Sequence, residues 1–148
     1  MEPKKAYKSF RYPSTVVWKS ARRGEATAAG KPPLGVGNPP EFRGQEGDWS
    51  PEHLFVTALN TCLMLTFLNL AERRGVELKA YESSAEGLLE FSDGRYRITT
   101  VTVRPRVTLK SAAGIDVARE LMGKVEEQCF ISNSIASRVD LQPEFAAA

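Results

Sequence analysis

Two thiols and one imidazole stand out in this chain as candidates for nucleophilic, redox or metal chemistry: Cys62, Cys129 and the single histidine, His53. The cysteines lie 67 residues apart, with no CxxC spacing and no second pair. Zinc requires about four nitrogen or sulfur ligands, or three and a water, which this set cannot supply, so no metal and no cofactor is expected. One bridge would also be too sparse for a stapled secreted scaffold. Two isolated thiols are therefore either small buried hydrophobes or a redox pair.

A cysteine in apolar surroundings is normally inert, because burial raises its pKa and only the thiolate attacks. To react, Cys62 needs a cation brought to it, and Arg22, Arg23 and Arg43 in the turn-rich region upstream are the candidates. Glu52 is either a routine first-turn acid or the group that orients one of those guanidinium groups. Glu52 and Cys62 are ten residues apart, about 15 Å along one helix axis, so they cannot touch within one helix. Either an arginine spans the gap, or two copies of the helix cross antiparallel at a two-fold axis and residue 52 of one approaches residue 62 of the other. Cys129 is a quiet core thiol or, if its Cα comes within about 4.4–6.8 Å of that of Cys62, a resolving cysteine. His53 reads as an exposed helix residue.

The elements that must carry these residues follow from the pattern. Ser50-Pro51-Glu52 offers a hydroxyl N-cap, proline at the first helical position and an early acid, and Gly75 is a natural stop. Between them a helix from Pro51 to about Arg74 would run roughly 36 Å. It is apolar almost all round, through Leu54, Phe55, Ala58, Leu59, Leu63, Leu65, Phe67 and Leu70. Such a helix must be covered on most sides, which one small chain does poorly, so a second copy or a wrapping sheet is expected. Residues 78–91 and 95–109 read as strands joined at Ser92-Asp93-Gly94, with Pro105 pointing to an edge or a bulge. An amphipathic helix over 115–128 and a short strand near 137–141 follow. Upstream, residues 4–19 suggest one or two strands with a turn near Pro13, then a turn at Arg22-Arg23-Gly24. The Gly- and Pro-rich segment 30–50 cannot be helical. The order describes one α+β domain spanning 1–148.

The chain has 148 residues, 42% hydrophobic and 26% charged, with 20 Lys and Arg against 18 Asp and Glu. Disorder is excluded at that apolar content, and a net charge of +2 argues against nucleic acid or an anionic membrane. The basic residues Lys4, Lys5, Arg22 and Arg23 are too scattered for a nucleic-acid footprint. No 18-residue uninterrupted apolar run and no secretory pattern is present, so the expected location is the cytoplasm.

GDWSPEHLFVTALNTCLMLTFL, which contains Cys62, resembles the segment that opens the central helix of the OsmC/Ohr family, the osmotically inducible and organic hydroperoxide resistance proteins. EEQCFISNSI around Cys129 is similar to the second signature of that family. The resemblance covers about residues 10–145. It implies an intertwined homodimer with sheets wrapped around two long central helices. It also implies a thiol-dependent peroxidase that reduces organic hydroperoxides in oxidative stress defence. Carried over by position, Cys62 is the peroxidatic cysteine, Cys129 the resolving cysteine, Glu52 the acid that positions arginine, and Arg23 or Arg43 the arginine. Apolar walls from Phe42, Trp49, Phe55 and Phe130, and an external dithiol reductant of lipoyl type, belong to the same expectation. The chain departs from the pattern at Ser50 (Asn in the family), at Asn60-Thr61 (a small Ala pair) and at Phe130 (Pro). The alternative is a non-catalytic dimeric module of the same fold that binds an apolar small molecule.

Overall fold

The computed structural model describes residues 3–4 and 6–148, so Lys5 lies outside the described residues. It divides into two compact units, Met1–Pro51 and Glu52–Ala148.

The first unit is an antiparallel three-stranded sheet in the order β1 (Thr15–Ser20), β2 (Arg23–Thr27), β3 (Leu34–Gly37). The expected turn near Pro13 gives way to a single strand, and the chain reverses at Ala21-Arg22, with Ala21 at φ 47. Arg23 and Gly24, anticipated as part of that turn, begin β2 instead. The Gly- and Pro-rich segment holds β3 and one 3-10 turn at Pro40–Phe42. That turn closes tightly: Gly44 N–H donates to the Pro39 carbonyl at 3.1 Å and Asn38 Nδ2 to the Phe42 carbonyl at 3.1 Å. A Cβ at Gly44 would overlap the Asn38 carbonyl, so glycine is required there.

The second unit opens with α1 (Pro51–Arg73). It ends as the glycine predicts: Gly75 takes φ 68, its N–H donates to the Glu72 carbonyl, and Val76 N–H reaches back to Ala71 at 2.9 Å. Strands β4 (Leu78–Ser92) and β5 (Arg95–Leu109) pair antiparallel along their length. Asp93 (φ 53) and Gly94 (φ 82) supply the two left-handed residues of a tight hairpin. Helices α2 (Ile115–Met122) and α3 (Val125–Gln128) follow, the expected single helix being interrupted at Gly123-Lys124. Two short strands, β6 (Arg138–Leu141) and β7 (Glu144–Ala147), both pair parallel with β5.

Pro105 therefore stands on the central strand and not at an edge. It is tolerated because β6 pairs with Thr100–Val103 and β7 with Arg106–Leu109, which places the proline opposite the gap between them. Alternate β5 side chains, Val101, Val103, Val107 and Leu109, are buried. They share the core with Leu59, Leu63, Phe67 and Ala71, one stripe of α1 at four-residue spacing, and with Ala118, Leu121, Met122 and Val125. Close approach of α1 to β4 requires Gly87, where a Cβ would lie 2.7 Å from Val56 Cγ2. The rest of α1 is less covered than its composition asks: Leu65 is 50% exposed. By length and composition the helix could cross a membrane, but its buried stripe seats on the sheet.

Candidate active site

Cys62 and Cys129 come together in the second unit. Cys62 lies at the start of the fourth turn of α1, half-buried, because four-residue spacing puts Leu59 and Leu63 on the core stripe and leaves position 62 beside it. Cys129 caps α3 and is fully buried. Both are free thiols, and each perturbs the ionisation of the other.

Their environments push them apart. Burial acts to raise the Cys62 thiol, but the hydrogen bond with Cys129, main-chain N–H groups of Ile131 and Phe130 and the Thr66 hydroxyl outweigh it, leaving Cys62 below the ordinary cysteine range. Thr66 Oγ1 also lies 2.8 Å from the Cys62 carbonyl. Its single proton serves one acceptor at a time, and an ionised sulfur is the stronger one. Burial, then the contact with Cys62, pushes Cys129 up to about 11, against a smaller opposing effect of the Ser132 N–H. One sulfur is thus prepared to ionise and its neighbour to stay protonated. The groups that lower Cys62 are hydrogen-bond donors and not the cation that its apolar context seemed to demand.

The other expected site residues are placed as follows. Glu52 sits in the first turn of α1, and its buried Oε2 has no hydrogen-bond partner among the described residues. Arg23 in the first unit is committed to Asp48, with Nε 2.7 Å from Oδ2 and Nη2 3.0 Å from Oδ1. The Asp48 hydrogen bond and charge hold Arg23 above its ordinary value, and the Arg23 hydrogen bond holds Asp48 below the usual carboxylate range. Asp48 was not anticipated; a pairing across 25 residues leaves no local signal. Arg43 ends the 3-10 turn in the left-handed region at φ 67, ψ 28, a strained conformation for a side-chain-bearing residue. Phe55 packs against the core, whereas Phe130, next to Cys129, is 81% exposed.

A second buried polar group was also missed. Asn60 Nδ2 donates to the Ser83 carbonyl at 3.1 Å, and Asn60 Oδ1, Tyr81 OH and Ser83 Oγ are buried beside it without good hydrogen-bond geometry. Burial holds the Tyr81 phenol up at about 12, with Ser83 offsetting it only in part. A cleft of about 780 Å³ between α2 and β6–β7 is lined by Arg119, Met122 and Phe145 and contains none of the expected site residues. Among the described residues, no group of three or more His, Cys, Asp or Glu is arranged to hold a metal ion.

The chain is 31% identical over 109 residues to the uncharacterized protein YmaD of Bacillus subtilis (strain 168), covering 72% of this chain and 73% of that one. Among solved structures it is similar to the OsmC-like protein of unknown function VCA0330 from Vibrio cholerae O1 biovar eltor str. N16961, with a TM-score of 0.85 at 25% identity over 92% of this chain and 100% of that one. The organic hydroperoxide resistance protein OhrB of Bacillus subtilis shares the fold, with a TM-score of 0.63 at 24% identity over 92% and 98% of the two chains. The family model described as OsmC-like protein matches residues 44–144, a span that takes in both thiols and the second unit from α1 through β6. By that match the chain belongs to the OsmC-like family, in the OsmC/Ohr group that its two cysteine segments resemble.

Proposed function

We propose that the protein is a thiol-dependent peroxidase that reduces organic hydroperoxides to alcohols in oxidative stress defence. The observation that carries this reading is the pair of neighbouring thiols with opposed ionisation, Cys62 lowered and Cys129 raised. The Cys62 thiolate attacks the O–O bond, the alkoxide leaves and takes a proton to become the alcohol, and Cys62 is left as a sulfenic acid. Cys129 then condenses with it, water departs, and a Cys62–Cys129 disulfide forms. An external dithiol, of lipoyl type, returns both sulfurs to thiols and is itself oxidised to a disulfide. Arg23 or Arg43 supplies a guanidinium to the peroxide oxygens, and Glu52, whose buried oxygen lacks a partner, orients it.

The working form in this reading is a cytoplasmic homodimer of one OsmC-like domain. Support comes from uncovered apolar surface: Leu65 on α1, and Val16, Val17 and Trp18 on β1, are all exposed. Intertwining would cover these residues.

The test is a thiol count after a stoichiometric organic hydroperoxide. Both thiols should disappear together, and Cys129→Ser should instead accumulate a trappable Cys62 sulfenate. Native Cys62 that stays inert to peroxide and to alkylating agents would overturn the enzyme reading in favour of a non-catalytic module.

A further inference from the structure

Residues two apart on a strand share a face, so Gly35 and Gly37 leave one face of β3 bare. Arg23 on β2 lies opposite Gly37 in register. Asp48 fills the bare strip. A Cβ at Gly35 would come 3.1 Å from Asp48 Oδ1, and one at Gly37 would come 3.2 Å from Oδ2. The neighbouring main chain holds the aspartate there: Trp49 N–H donates to the Gly35 carbonyl at 2.9 Å, and Gly37 N–H donates to the Trp49 carbonyl at 3.1 Å. The Asp48 side chain is only 3% exposed, whereas that of Arg23 is 46% exposed. Arg23 gives Nε–H to one carboxylate oxygen at 2.7 Å and an N–H of Nη2 to the other at 3.0 Å. A guanidinium has five N–H donors, so this fork leaves three of them for other acceptors.

We propose that Asp48 is a positioning residue that clamps the Nε side of Arg23, so that the Nη1–Nη2 end stands open as a preorganised fork for a hydroperoxide. A planar bidentate pair fixes both the place and the plane of the guanidinium. A carboxylate so far out of water needs its partner charge, so the pair stays closed. The inference rests on the peroxidase reading and makes Arg23, in place of Arg43, the arginine of that reading. Arg43 is exposed and forms no ion pair among the described residues.

Asp48→Asn removes the charge and turns one acceptor into a donor, which opens the fork. The second-order rate with tert-butyl hydroperoxide should fall about ten- to a hundredfold, the cost of a misplaced donor. Alkylation of Cys62 by iodoacetamide, which has no peroxide oxygens to hold, should keep the parent rate. In an Arg23→Ala background Asp48→Asn should cost nothing further, because its whole effect passes through the guanidinium. Gly35→Ala disturbs the clamp without removing it: the added methyl meets only Asp48 Oδ1, and the peroxide rate should fall by less than about tenfold. A folded Asp48→Asn protein with the parent peroxide rate, equal losses in both reactions, or a further loss in the Arg23→Ala background overturns the role of Asp48. If Asp48→Asn does not fold, the parent rate in Gly35→Ala overturns it. A parent that does not reduce the hydroperoxide at all overturns the peroxidase reading, and this role with it.

Discussion

Exposing the reduced protein to limiting iodoacetamide near pH 8 should label its two thiols very unequally. Cys129 stands at about 11, so only about one molecule in a thousand carries its thiolate at that pH. Cys62 lies below the ordinary cysteine range, so its thiolate is far more populated than that of Cys129 at this pH. The more basic Cys129 thiolate is intrinsically the better nucleophile, but nucleophilicity rises by only about half a decade per pKa unit, which is less than the lost thiolate costs. Complete burial of Cys129 adds to the contrast. Peptide mapping after quenching at a series of times measures both rates in one sample. Equal labelling of the two cysteines in folded protein would refute the assignment of nucleophile and reserve thiol.

Cys129 has a raised folded pKa, so its contribution to stability is complete below the ordinary cysteine value and is lost as pH climbs toward about 11. The denaturant midpoint of the reduced protein should fall across that window, with a flatter profile in Cys129→Ala. Leu65→Glu places a charge on the uncovered face of α1 and should yield monomer by sedimentation; an unchanged dimer would remove that face from the interface. Gly87→Ala forces a methyl against Val56 and should cost about 1–3 kcal/mol in chemical denaturation.

Local signals in the sequence located the elements that matter most. Ser-Pro-Glu and Gly75 bracket α1 closely, and Asp93-Gly94 marks the hairpin between two fifteen-residue strands. Pro105 misled because a single-residue rule cannot foresee two short parallel strands sharing one side of β5 and leaving a gap at the proline. Strand β7, with three alanines close to it, has little β propensity and takes its form from β5. The two cysteine segments pointed to a thiol pair, and the fold brings both to one core cluster, where each shifts the ionisation of the other.

The segment bearing Cys129 is pinned at both ends. Upstream, Asn133 Nδ2 ties it to α3 through the Glu127 carbonyl; downstream, Ser137 Oγ holds the Ile98 carbonyl at 2.6 Å just before β6 joins the sheet. A clasp riveted in this way has no slack to swing outward. Bond making between the sulfurs would then leave the outline of the subunit almost unchanged. Whatever molecule restores the reduced state must recognise the oxidised one by reaching in along the open flank of Cys62, as a key enters a lock that does not turn.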